Sequence, residues 1–281
     1  MPTPRTVVVT GSASGIGAAV AERLRDQGDR VIGVDRAGGE VVADLSTPQG
    51  RAEAAQAVLD LAGGHLDGAV LCAGLGPMPG AERTILEVNA RGVIELLETW
   101  RPALAAGSAQ AVLIGSNSTT TTPFVSRKAV RETISGDLDR AERRLRPKKM
   151  APPLAYATSK LAVSYWAREQ AVRPEWVGAG IRLNVLAPGA TMTPMLREQL
   201  AGPQGRAVRN FPIPAGAPAE PGELADIAVF MVSPAARAMV GSVVFADGGT
   251  DALLRGDHAP APVKARQLGR YGAAMVKFRR R

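Results

Sequence analysis

Residues 6–17, Thr6-Val7-Val8-Val9-Thr10-Gly11-Ser12-Ala13-Ser14-Gly15-Ile16-Gly17, decide how the chain reads. A β-branched run predicts a buried strand, and three glycines then turn the chain tightly. Residues 18–26 follow as a helix with Val20, Ala21 and Leu24 on one face. Gly28 ends it, and 31–34 is the next strand. This is a βαβ unit. Glycines in its first turn let backbone approach a pyrophosphate, which then sits on the helix N-terminus. Three glycines in a chain with 31 are weak evidence alone; the strand before them and the helix after them make the signal specific. The candidate cradle is Gly11, Ser14, Gly15, Ile16 and Gly17.

Outward from this unit the alternation continues. Strands are predicted at 41–43, 68–72, 111–114, 181–186 and 243–246, and helices at 49–62, 84–106, 157–172 and 223–232. Strands alternating with helices predict an α/β protein: a single-domain, Rossmann-type, doubly wound parallel sheet with helices on both faces, spanning 1–255. Two regions break the rhythm. Within 119–150, Val130, Ile134, Leu138, Ala141 and Leu145 recur at helical spacing and predict an amphipathic helix. It is either a solvated surface helix or a subunit contact or cover for the site. Residues 194–222 hold Pro203, Pro212, Pro214, Pro218 and Pro221 and read as a mobile substrate loop carrying a short helix, in the position of a lid. The remainder, 256–281, is a basic tail that opens on a linker at 259–262.

Composition bounds the function. Of 281 residues, 46% are hydrophobic and 21% charged, which suits a globular protein. No apolar run is long enough for a membrane span, the N-terminus has no signal-peptide pattern, and the single cysteine, Cys72, forms no intrachain disulfide. A cytoplasmic setting is expected, with no metal site. The net charge of +8 is concentrated: Lys264, Arg266, Arg270, Lys277, Arg279, Arg280 and Arg281 supply seven of the eight charges, with no acid among residues 264–281. A nearly neutral body argues against nucleic acid as the partner. The tail is read as a solubilising terminus, with docking on nucleic acid or another anionic surface as the rival.

The motifs point to redox chemistry. Asp35, directly after the second strand, can accept both hydroxyls of an adenosine ribose and repels a 2′-phosphate, which favours NAD(H) over NADP(H) despite the neighbouring Arg36. Asp44 and Leu45 follow the third strand at the adenine edge. Cys72, Ala73 and Gly74 end the fourth, where small residues admit the ribose. Tyr156 and Lys160 are four apart and share a helix face. An ammonium beside a phenol favours the phenolate, so the pair can take a proton from an alcohol while hydride leaves. Ser116, with Ser118 and Thr119 as competitors, sits past the strand 111–114 and can polarise a substrate oxygen. Asn89 lies within a helix where a buried polar task explains it.

Together these residues resemble the short-chain dehydrogenase/reductase family over roughly residues 5–254. The resemblance implies Ser116, Tyr156 and Lys160 as the catalytic triad, a proton relay through Lys160, and a water held by the backbone of Asn89. It also implies that Pro188, Gly189, Thr191 and Thr193 meet the nicotinamide end of the cofactor. Residues 42–47, 71–77 and 188–194 are similar to the bacterial hydroxysteroid dehydrogenase/carbonyl reductase branch, as is the long stretch between Ser116 and Tyr156. In that branch the insert is helical and covers one of the usual dimer faces. The implied substrate is a lipophilic secondary alcohol or its ketone, a steroid or other alicyclic or aromatic compound, handled by a homodimer or homotetramer. The alternative is a non-catalytic dinucleotide-binding regulatory protein, which would keep the glycine turn and lose Tyr156 or Lys160; both are present.

Overall fold

In the first strand, β1 (Thr6–Thr10), Val7 and Val9 pack into the apolar layer on one face of a sheet and Val8 into the layer on the other. All three are fully buried, so a period of two with apolar residues at every position marks a strand covered on both sides. The computed structural model describes residues 4–202, 205–257 and 265–277. After β1 come α1 (Gly15–Asp26), β2 (Arg30–Asp35), β3 (Val41–Val42), α2 (Pro48–Ala62) and β4 (Gly68–Leu71). The next helical rod is α3 (Glu82–Leu86), a π-helical turn (Glu87–Gly92) and α4 (Val93–Ala106). Then follow β5 (Gln110–Ile114), α5 (Ser118–Thr121), α6 (Arg127–Ser135), α7 (Leu138–Arg143) and α8 (Ala151–Gln170). The chain continues through β6 (Arg182–Pro188), α9 (Pro194–Ala201), α10 (Gly205–Arg209), α11 (Pro221–Met231), β7 (Val243–Ala246), α12 (Thr250–Arg255) and α13 (Leu268–Lys277).

The seven strands form one parallel sheet in the order β3-β2-β1-β4-β5-β6-β7. The order reverses between β1 and β4, and ligands gather at such a switch point, outside the carboxyl ends of the strands. One face is covered by an apolar layer that includes Val58, Trp100 and Val163 from α2, α4 and α8. The other is covered by Val20 and Leu24 of α1 and Val229 of α11. No helix of the described residues is long and apolar enough to cross a membrane.

Several expectations need correction. The helix read over 84–106 is not uniform, because the π-helical turn places an extra residue in the rod at Asn89. The helix read from 157 begins six residues earlier, at Ala151, and holds both Tyr156 and Lys160 as their spacing predicts. The single helix within 119–150 is two, α6 and α7, since Gly136 adopts φ +86 in the left-handed region and ends the first. The apolar set still faces inward: Val130, Leu138, Ala141 and Leu145 are buried, and Ile134 packs partly buried against the core. Residues 194–222 hold two helices, not one, and Thr191 bridges Ala219 in parallel. The tail contains α13, where no element was read; the linker at 259–262, Lys264 and Arg279, Arg280 and Arg281 lie outside the described residues.

Trp100 is fully buried between α4 and α2, and its indole nitrogen donates to the Ala55 carbonyl at 3.1 Å. Trp100→Ala opens a large cavity and removes that bond. We expect a loss of about 3–5 kcal/mol in unfolding free energy, read from the urea midpoint at unchanged slope.

Candidate active site

The glycine turn is held by contacts that admit no other residue. Gly11 has φ +70, and a Cβ there would stand 2.8 Å from the Ala73 nitrogen. A Cβ on Gly17 would stand 2.1 Å from the Gly11 carbonyl oxygen. The turn therefore closes on itself and on the end of β4. Ser14, the residue before α1, is extended and makes no side-chain cap, and the first turn of α1 holds no acid. Amides at that helix end are thus free to meet an anion. Thr193 lies across the turn, its Cγ2 3.1 Å from where a Gly15 Cβ would be, which joins the segment after β6 to the cradle. A pyrophosphate fits this arrangement: a backbone cradle that a Cβ would fill, beside an uncapped helix end. The Ser12 hydroxyl is buried without a partner among the described residues.

At the end of β2, Asp35 accepts hydrogen bonds from the amides of Ala13 at 3.0 Å and Ala37 at 3.1 Å. Its carboxylate is thereby fixed beside the glycine turn. Glu40, which was not among the sequence candidates, folds back so that its carboxylate accepts from the Gly33 amide at 2.6 Å. Two carboxylates therefore flank this end of the cradle. No local sequence signal marks Glu40, because its position depends on how 36–40 turns. Asp44 accepts from the Ser46 amide at 2.9 Å; that bond, together with the charge of Arg36, holds its carboxyl below the usual range. Leu45 is buried in the core, and its carbonyl accepts from Arg51.

Beyond β4, the Ala73 amide donates to the Thr10 hydroxyl at 3.1 Å. A Cβ at Gly74 would meet the Asn89 Oδ1 at 3.2 Å and the Lys160 Nζ at 3.4 Å. Burial pushes the Cys72 thiol up to about 12, so it is an inert small residue and no nucleophile. Asn89 is fully buried. Its side chain exchanges two hydrogen bonds with the backbone of Leu75, accepting at 2.7 Å and donating at 2.9 Å, and donates to the Ser159 hydroxyl at 3.2 Å. Ser159, also absent from the sequence candidates, in turn donates to the Tyr156 carbonyl at 2.7 Å. The π-helical turn, the loop after β4 and α8 are thus pinned to one another.

Tyr156 and Lys160 lie on one face of α8, with the Lys160 Nζ 5.9 Å from the centre of the tyrosine ring. Lys160 is buried, and its ammonium donates to the Ile114 carbonyl at 2.8 Å, tying α8 to the end of β5. Burial brings the lysine down to about 8. Burial also raises the Tyr156 phenol above its ordinary value, and a hydrogen bond from Ser116 partly opposes the rise. The expected lowering of the phenol is therefore outweighed by desolvation in this structure. Of the three hydroxyls past β5, Ser116 is the one that acts on the Tyr156 phenol. Thr119 donates to the Ser116 carbonyl at 2.8 Å, and the Ser118 hydroxyl is buried without a partner among the described residues.

Past β6, a Cβ on Gly189 would stand 2.7 Å from the Asp247 Cα, so the chain passes close to the end of β7. Thr191 is buried and donates to the Gly189 carbonyl at 3.2 Å. The Thr193 hydroxyl accepts from the Leu196 amide at 3.3 Å and so starts α9. That helix lies over the loop after β4: a Cβ at Gly76 would meet the Gln199 Nε2 at 2.9 Å and the Met195 side chain at 3.0 Å.

Residues 5–127 match the family model described as short chain dehydrogenase, and residues 146–251 match one described as enoyl-(acyl carrier protein) reductase. A 3-alpha-hydroxysteroid dehydrogenase/carbonyl reductase from Comamonas testosteroni is 38% identical, over 89% of this chain and 97% of its own. A cis-4-hydroxycyclohexanecarboxylate dehydrogenase from Sinomonas cyclohexanicum is 30% identical, over 89% and 97%. Among solved structures, the 3-alpha-hydroxysteroid dehydrogenase from Pseudomonas sp. B-0831 complexed with NADH superposes with a TM-score of 0.83 at 43% identity, covering 90% of this chain and 99% of the other.

The Gly17 contact yields a direct test. Gly17→Ala drives a methyl group into the Gly11 carbonyl and must displace the turn. We expect NADH binding, followed by nicotinamide fluorescence, to weaken by more than about tenfold, since displacing a preorganised backbone cradle removes several amide contacts at once.

Proposed function

We propose how this chain, which belongs to the short-chain dehydrogenase/reductase family, carries out its reaction. Membership makes it an oxidoreductase that interconverts an alcohol and a carbonyl compound with a nicotinamide dinucleotide. Our reading is that it uses NAD(H), acts on a lipophilic secondary alcohol or its ketone, and moves the proton with Ser116, Tyr156 and Lys160. The observation that carries this is the convergence, at the strand ends, of a partly buried Tyr156 on which Ser116 acts with a buried Lys160 held on the Ile114 carbonyl.

The dinucleotide, when bound, supplies or accepts the hydride. Gly11, Ser14, Gly15, Ile16 and Gly17 would hold its pyrophosphate. Asp35, braced by two amides, would hold the adenosine ribose, with Arg36, Asp44, Leu45, Cys72, Ala73 and Gly74 forming the surrounding wall. The carboxylate of Asp35 opposes a 2′-phosphate, which supports NAD(H) over NADP(H), whereas Glu40 is paired with Arg25. Pro188, Gly189, Thr191 and Thr193 would line the nicotinamide end.

The proton chemistry falls to the chain itself. Because burial holds the Tyr156 phenol above its ordinary value, it keeps its proton at neutral pH and is ready to donate to a carbonyl oxygen. The Ser116 hydroxyl steadies that oxygen. Lys160, charged below about 8, favours loss of the phenolic proton when the reaction runs towards the ketone. Asn89 keeps the loop after β4 and α8 in register beside the lysine. Leu75, Met78 and Met195, on the loop after β4 and the α9 helix that lies over it, would give the substrate an apolar lining. This and the hydroxysteroid and hydroxycyclohexane activities of the relatives support a steroid or other alicyclic or aromatic substrate. In this reading 1–255 is the catalytic unit and 256–281 an appendage. The enzyme works as a homodimer or homotetramer, and its one cysteine suits the cytoplasm.

Tyr156→Phe is the decisive variant. Turnover of a cyclic ketone or alcohol should fall by about 100- to 10,000-fold with NADH binding retained, and wild-type turnover should favour NAD(H) over NADP(H). Retained turnover overturns the mechanism. The raised phenol also sets the sign of the pH response. Oxidation requires the phenol to give up its proton while Lys160 keeps its charge, so its kcat/KM should climb from pH 7 to about 8 and level off as the lysine neutralises, while that of reduction holds level and then falls. Steady-state rates in both directions read this directly, and an oxidation rate that declines over that range contradicts it.

A further inference from the structure

The last helix, α13, carries a feature that the reaction does not use. Leu268, Tyr271 and Met275 are 62%, 55% and 59% exposed. Spaced by three and four residues, they share one face of a helix that turns every 3.6 residues. A Cβ built at Gly269 or Gly272 meets nothing within 4 Å, so the backbone between these side chains is open as well. On the same helical count, positions 270 and 277 fall on the opposite side, and they are Arg and Lys. The sequence then continues through Arg279, Arg280 and Arg281, and residues 265–281 contain no acid.

An apolar stripe opposite basic positions, in a segment without acids, is the pattern of a helix that lies in a lipid–water interface. We propose that α13 docks the enzyme on an anionic lipid surface, with Leu268, Tyr271 and Met275 entering the headgroup boundary. Charge complementarity chooses this occupant. A second copy of the segment would set like charges against each other, and the rest of the chain is close to neutral, so its net charge supplies no complement. Nucleic acid would use the cations but has no use for three exposed apolar side chains on the opposite side. The two components act together: each basic residue near an anionic leaflet adds attraction that salt screens, and the apolar face adds a contact that salt leaves largely intact.

The test uses the full-length protein and sedimentation with lipid vesicles. Binding to phosphatidylcholine vesicles containing about one third phosphatidylglycerol is expected, with weak binding to phosphatidylcholine alone and weakening as salt is raised. The variant L268S/Y271S/M275S, whose substituted residues lie outside the catalytic machinery, should lose at least about tenfold in vesicle binding and keep the turnover of the wild type in solution. The variant Arg270→Gln/Lys277→Gln should lose binding to the anionic vesicles specifically. The proposal fails if the wild type does not sediment with anionic vesicles at low salt. It also fails if the triple serine variant sediments as well as the wild type. Tighter binding to duplex DNA than to vesicles, undiminished in the serine variant, would assign the tail to nucleic acid instead.

Discussion

The approach of Gly17 to the Gly11 carbonyl is the constraint on which the rest of the site depends. It leaves no room for a side chain, and so brings the N-terminus of α1 hard against the end of β1. From there the amide of Gly11 reaches the Val34 carbonyl at 2.8 Å, and the Thr10 hydroxyl receives the Ala73 amide. A single close backbone contact therefore sets the relation between three strand ends, β1, β2 and β4, at the switch point of the sheet. Asp35 and the small residues after β4 take their places from it.

The proton-handling half of the site is built on a different principle. Its residues come from β5, the π-helical turn and α8, and it is organised by buried polar bonds: Lys160 to Ile114, Asn89 to Leu75 and Ser159, Ser159 to Tyr156. In a low-dielectric interior such bonds are costly to break, and each member left alone would carry a desolvation penalty. The same burial that makes the network rigid also moves the two titratable groups in opposite directions, the phenol up and the lysine down. Packing and proton affinity are here one property seen twice.

Much of this was legible in the sequence because the informative signals are local. The strands β1 and β7 read off their β-branched runs to the residue, and the four-residue spacing of Tyr156 and Lys160 needs only a helix to become a pair. What escaped depended on context. The tyrosine helix begins at Ala151, ahead of the start read at 157, because Pro152 and Pro153 are tolerated in a first helical turn, where the missing amide has no partner to lose. Gly136 sat inside a convincing apolar period, and only its left-handed backbone shows that the period belongs to two helices. Ser116, Ser118 and Thr119 have the same chemistry within four residues; their different bonding follows from how the turn after β5 folds, which spacing does not encode. Glu40 acts through the Gly33 amide, seven residues away, and Ser159, though inside the tyrosine–lysine motif, acts through the Tyr156 carbonyl and the distant Asn89, which spacing does not encode.

The placement of Tyr156 six residues into α8 has a consequence for how such an enzyme can change. Ser116 is anchored to the end of a buried strand, Tyr156 to the interior of a helix bonded to that same strand end, and α6 and α7 leave and return between these two fixed points. The insert behaves as a module plugged into a socket. Its inner face, with Val130 in the core and Leu145 packed beside Leu154 and Ala155, is fixed by that socket, so change is confined to its outward surface while the frame around the reacting groups stays constant.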